Sequence, residues 1–123
     1  MNYRIVTTDD FERNFKRLSK KYHSLKDDYE ILINELLKNP TMGDDLGNNT
    51  RKVRMAIASK NRGKSCGARV ITFNVLVDMV NTKIYLLTIY DKGEHDSISK
   101  KEIAQLKMAH LLNPDIQNPL IAN

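Results

Sequence analysis

Apolar residues recur along this chain in two rhythms, and the places where one gives way to the other divide it into elements. Tyr3 to Val6 reads as a short strand. From Asp9 the spacing turns helical: Phe11, Phe15, Leu18 and Tyr22 share one face, while Arg13, Lys16, Arg17 and Lys20 point away from it. Asp9, with Glu12 three positions on, predicts a reciprocal cap at the start of this helix. After His23 and Ser24, a second stripe carries Leu25, Tyr29, Leu32, Ile33, Leu36 and Leu37. It must stop before Pro40, because the residue preceding a proline is pushed out of the helical region. The two segments predict a helical hairpin.

Thr41 to Thr50, with Gly43, Gly47 and paired Asp and Asn residues, has turn chemistry and no apolar period, so an exposed loop is expected. From Lys52 the period becomes two. Lys52, Arg54, Ala56 and Ala58 take one face, and Val53, Met55 and Ile57 take the other. Ser59 to Gly67 reads as a turn and Ala68 to Val77 as a β-branched strand, in which Ile71, Phe73, Val75 and Val77 alternate with Val70, Thr72 and Asn74. Asp78 to Thr82 is a second turn. Lys83 to Tyr90 is apolar on both faces, as a central strand requires. Ser99 and Glu102 repeat the capping pattern and open a last helix with Ile103, Leu106 and His110 on one side. The order β-α-α-β-β-β-α predicts an α+β fold, an antiparallel sheet with the helical hairpin packed on one face. Residues 1–112 are expected to form a single domain, and 113–123 a loose tail.

Charge sharpens this picture. The net charge of the chain is +5, yet the stretch Leu46 to Val77 alone holds seven cations (Arg51, Lys52, Arg54, Lys60, Arg62, Lys64 and Arg69) and no carboxylate. The basic character is therefore local to one hairpin, and a field concentrated in this way attracts phosphate backbones. Lys52 and Arg54 project from one strand face, and Arg69 begins the partner strand, so the three can converge on one patch. Gly63, Lys64 and Ser65 imitate the end of a nucleotide-binding loop, but Ala58 stands where that motif needs its first glycine, and a strand follows instead of a helix. Nucleotide binding there is not expected.

Other chemistry is sparse. Cys66 has no neighbouring histidine to activate it, and His23, His95 and His110 are scattered, so neither a thiol nucleophile nor a metal site is expected. No cofactor scaffold and no small-molecule site is visible. A single cysteine fits a reducing compartment, and there is neither an apolar amino-terminal leader nor a run of eighteen apolar residues, which leads to the expectation of a cytoplasmic protein away from membranes. Tyr90 to His95 leaves the end of a buried strand, where a rigid element aims side chains, and His95 is a candidate acid or base there.

Three segments carry a family likeness: Lys52-Val-Arg-Met-Ala56; Arg62-Gly-Lys-Ser-Cys-Gly-Ala-Arg-Val-Ile71; and Tyr85-Leu-Leu-Thr-Ile-Tyr-Asp-Lys92, followed by Glu94 and the helix opening at Ser99. Together they resemble the RelE/ParE superfamily of bacterial toxins, in its RelE and HigB-like branch. The resemblance implies a ribosome-dependent messenger-RNA endonuclease that needs no metal or other cofactor. Its implied partners are the ribosome with its message and a cognate antitoxin, either a helix-turn-helix protein of the HigA kind or a short acidic polypeptide. Carried over by position, it implies catalytic roles for Lys52, Arg54, Arg69 and Lys92, with Arg69 as a phosphate clamp, and His95 is a further catalytic candidate. Lys60, Arg62, Lys64 and Tyr90 are the implied RNA contacts. Ser99 lies near the place where some members carry a tyrosine, so Tyr90 or His95 is expected to stack on a base or protonate the leaving oxygen, and Lys52 or Lys92 to serve as base. A gyrase-inhibiting toxin of the ParE branch and a non-catalytic RNA-binding module are the competing expectations.

Overall fold

The computed structural model describes residues 2–95 and 97–112, without the side chains of 110–112. Five strands, β1 (Asn2–Thr7), β2 (Asp44–Gly47), β3 (Thr50–Met55), β4 (Ala68–Leu76) and β5 (Asn81–Asp91), form one sheet in the order β1-β5-β4-β3-β2. Three helices accompany it: α1 (Asp9–Lys21), α2 (Leu25–Lys38) and α3 (Lys100–Leu112). The α+β class holds, but the sheet is mixed. β2, β3, β4 and β5 pair antiparallel, whereas β1 lies parallel to β5. The helical hairpin carries the chain across the sheet from the β1 edge to the β2 edge, and the three reversals from β2 to β5 leave β5 running in the direction of β1.

α1 and α2 cover one face through Phe11, Leu18, Leu25, Leu32 and Leu36, packed on Val53, Met55, Val70, Ile84 and Leu86. Each large side chain buried there is worth roughly 1.5–3 kcal/mol. Leu37, expected in that stripe, faces outward. α3 does not join them. It covers the opposite face, where Ile103 and Leu106 meet Ile71, Leu87, Tyr90 and Phe73, and the Lys107 ammonium sits 4.2 Å from the centre of the Phe73 ring. The sheet is thus enclosed on both sides at its centre, which explains why β5 is apolar on both faces.

Two local details differ from expectation. The loop 41–50 contains β2, which sets Asp44 opposite Lys52 and Asp45 opposite Arg51. Its hairpin turns through Gly47, Asn48 and Asn49, all at positive φ, a conformation that glycine and asparagine tolerate best. The cap of α1 is Thr8, whose hydroxyl accepts from the Phe11 N–H at 3.1 Å, while Glu12 accepts from Thr7. At α3 the reciprocal cap stands as expected: the Glu102 N–H donates to Ser99 Oγ at 3.1 Å, and the Ser99 N–H donates to Glu102 Oε1 at 3.3 Å. The expected tail 113–123 and the side chain of His110 lie outside the described residues.

A bulge at Leu87 has wider consequences. Ile71 pairs with Thr88 and Thr72 with Leu86, so Leu87 is an extra residue in β5. Past it the alternation is inverted: Tyr90 shares the α3 face with Tyr85, and Asp91 turns to the side of α1 and α2. Where β4 begins, Gly67 passes so close to β3 that an added Cβ would lie 2.1 Å from the Met55 carbonyl oxygen. Gly67→Ala is therefore expected to lower stability by about 1–3 kcal/mol, read as a lower urea midpoint at unchanged slope.

Candidate nucleic-acid interface

Register alone brings the basic residues together. Arg54 pairs directly with Arg69, and Arg69 with Tyr90, so the three stand side by side across β3, β4 and β5 on the α3 face, with Lys52 two residues along from Arg54. None of the three cations is ion-paired with a carboxylate among the described residues, although Asp44 stands opposite Lys52 in register. Asp44 came within reach only because residues 44–47 form a strand, and it moderates the field at that edge of the patch.

The cations differ in availability. Arg54 is exposed and Lys52 half-buried. Arg69 is only 5% exposed, and its guanidinium donates to the carbonyls of Lys64, Ser65 and Ala68 at 3.0–3.2 Å. Expected as an open phosphate clamp, it instead holds the turn that precedes β4, and its charge acts on the patch from beneath. Lys60, expected to contact RNA, donates to Asp91 Oδ1 at 2.5 Å and to the Cys66 carbonyl at 2.9 Å, so its ammonium is already committed. Lys64 pairs with Glu35 at 3.1 Å on the surface, a contact weak enough for a phosphate to displace. Arg62 is exposed, and with Lys60, Lys92, Ser65, Cys66 and Gly93 it lines a groove of about 480 Å³ beside the patch.

Tyr90 is 6% exposed and therefore offers no open face for a base, contrary to expectation. Its ring is met edge-on by His95 at 6.1 Å, and it is His95 that is exposed. Burial pushes the Tyr90 phenol up, the Arg69 charge pulls it down, and Glu102 raises it again, with a net rise. At neutral pH it is a protonated donor whose oxygen, although buried, has no hydrogen-bond partner among the described residues. A second concavity of about 340 Å³ opens beside it, between α1, the end of β5 and α3.

One residue that the sequence reading passed over organises the rim. Asp91, 1% exposed, accepts from Lys60, from the Tyr22 hydroxyl at 2.5 Å and from the Gly93 N–H at 2.9 Å. The basic loop is further tied at its start, where the Ala58 N–H donates to Asp28 and Ser24 and Ser59 bond reciprocally. At its end the Lys92 N–H donates to the Gly67 carbonyl. The available signal for Asp91 was a charged residue closing an otherwise apolar central strand. No three His, Cys, Asp or Glu side chains gather as a metal would require among the described residues, and no helix there is long and apolar enough to cross a membrane.

Burial pushes the Asp91 carboxyl up, but the donors from Lys60, Tyr22 and Gly93 outweigh it and hold the pKa below its ordinary value of 3.8. A carboxyl depressed in the fold stabilises above its unfolded pKa, and that contribution is lost as the pH falls through the folded value. The stability advantage of the native protein over Asp91→Asn should accordingly be full at neutral pH and shrink below about pH 4, as read by urea unfolding across that range. Asp91→Ala, which strands Lys60, is expected to cost about 3 kcal/mol.

No protein-family model matches the sequence, so the likeness to RelE/ParE toxins rests on the residues quoted above.

Proposed function

We propose that the protein is an RNA-cleaving toxin: a metal-independent endoribonuclease that cuts messenger RNA in the ribosomal decoding site, acts in the cytoplasm and is restrained by a cognate antitoxin. The observation that carries this reading is the row Arg54–Arg69–Tyr90 with Lys52 beside it, cations gathered on one sheet face without carboxylate ion pairs among the described residues. Three like charges brought together in this way favour an anion above them.

The chemistry is an internal displacement. The 2′-oxygen of the RNA attacks the adjacent phosphorus, the bond to the 5′-oxygen breaks, and the products are a 2′,3′-cyclic phosphate and a 5′-hydroxyl. A base takes the 2′ proton and an acid returns one to the departing 5′-oxygen. Charge accumulates on the phosphoryl oxygens, and Arg54 and Lys52, with the fixed guanidinium of Arg69 behind them, stabilise it without reorganising. His95, exposed at the rim, is suited to protonate the leaving oxygen, while Lys52 or Lys92 takes the proton from the attacking one. Arg62 and Lys64 extend the positive surface along the flanking backbone.

Arg54→Ala should leave the fold intact, because the side chain is exposed, and lower cleavage on the order of 100-fold or more, as for the loss of one donor to an accumulating negative charge. The assay is induced expression in bacteria, with growth and the ends of ribosome-associated transcripts followed together. Full cleavage by the variant, or growth arrest by the native protein with intact transcripts and inhibited gyrase, would overturn the ribonuclease reading.

A further inference from the structure

We infer that the cleft between α1, the end of β5 and α3 is a base-reading pocket that receives one nucleobase of the RNA, with guanine favoured. This inference rests on the ribonuclease reading and names what that enzyme would select.

Two features of the cleft differ from the neighbouring basic face. Its volume of about 340 Å³ lies at the small end of the range for ligand sites, ~300–1,000 Å³, which suits a single ring system. Its walls carry the carboxylates of Asp10 and Glu102, the polar groups of Asn14, Gln105 and His95, and Arg17, whose guanidinium is held by Glu94 at 3.1 Å. With that cation spent on its own carboxylate, the lining offers more to an uncharged group rich in N–H donors than to a phosphate. The pairing of β1 with β5 stops at Thr7 and Leu86, so the cleft opens just where β5 runs on beyond its parallel neighbour.

Hydrogen bonding divides the cleft into committed and open groups. Asp10 already accepts from Asn14, Arg13 and Thr88. Glu102 gives Oε1 to the cap of α3, and its Oε2 takes no hydrogen bond among the described residues. Tyr90 lines the cleft, is more than nine-tenths buried, and its hydroxyl is likewise without a partner. A buried polar oxygen in that condition asks for a ligand or water. Of the four bases, guanine alone presents ring and exocyclic N–H donors side by side on one edge, which suits an ionised carboxylate acceptor. The exposed His95 imidazole offers a stacking surface at the mouth. Tyr90 is also the end of the row that begins at Arg54, two strand spacings or roughly 10 Å away. A nucleotide lying along that row would place its phosphate over the cations and its base in the cleft.

The test uses short 2′-O-methyl RNA oligonucleotides, in which the attacking hydroxyl is blocked, differing at one position among the four bases and titrated against the full chain by fluorescence anisotropy. Guanine at that position is expected to bind about tenfold more tightly than adenine, within the range for one well-made base contact. Glu102→Gln preserves the helix cap, since glutamine serves there too, and should abolish the preference while leaving affinity for the other three oligonucleotides unchanged. Arg54→Ala should weaken all four equally. Equal binding of all four bases, or a guanine preference that survives Glu102→Gln, would overturn the inference. Mapping cuts on ribosomes separates the two proposals: cleavage whose distribution is indifferent to Glu102→Gln sinks the pocket and leaves the nuclease standing. Guanine-selective binding by a protein that cuts nothing supports the pocket and sinks the nuclease.

Discussion

A single buried carboxylate holds the working end of this protein in shape. Asp91 closes the central strand, and the three groups bound to it come from three segments: Tyr22 at the end of α1, Lys60 in the basic loop, and Gly93 in the turn after β5. Removing a carboxylate from water is costly, and the cost is offset only because every donor is in place. The arrangement is therefore all or nothing. With Asp91 satisfied, the loop is drawn onto the sheet and the Lys92 N–H reaches Gly67. Without it, Lys60 becomes an ammonium enclosed by protein with only a carbonyl as partner.

The β-bulge at Leu87 makes that carboxylate and the functional face compatible. Strict alternation from Tyr85 would have turned Tyr90 toward α1 and α2, and Asp91 toward α3. The extra residue exchanges them, so Asp91 anchors the loop from the helical-hairpin side while Tyr90 joins Arg69 on the other. One inserted residue thereby separates the structural anion from the cationic patch by the thickness of the sheet. Had the two shared a face, Asp91 would have neutralised the row of cations that a phosphate is proposed to meet.

Much of this was legible in the sequence. The stripes of Phe11, Leu18, Leu32 and Leu36, the alternation of Val53 and Met55 against Lys52 and Arg54, and the cap at Ser99 all act within a few residues, and local pattern reports such interactions faithfully. What escaped depends on partners distant in the chain. β2 is four residues of turn-like composition that become a strand only because β3 offers a free edge. The parallel pairing of β1 is fixed by Asn2 meeting Asn81, a contact no local rhythm announces. The side taken by α3 and the bulge at Leu87 were invisible because an all-apolar β5 reads the same on either face. The convergence of Lys52, Arg54 and Arg69, by contrast, follows from alternation and hairpin register, both of which the sequence displays.

Charge counting was the least reliable guide to the site, and the reason is physical. Seven cations in one hairpin suggest seven ligands for a polyanion, but a folded hairpin must also satisfy its own carbonyls and carboxylates. Lys60 and Arg69 are spent inside the protein, on Asp91 and on the carbonyls of the turn. The charge of Arg69 is not lost to the surface. A guanidinium fixed by neutral carbonyls keeps its full positive charge and cannot swing away, so it contributes a constant field under the exposed Arg54 and Arg62. The basic run therefore works in two tiers: an inner pair that builds the loop, of which Arg69 keeps its charge for the patch, and an outer set placed to touch a substrate. A sequence lists both tiers in the same letters, and only the fold distinguishes a cation that makes the site from one that uses it.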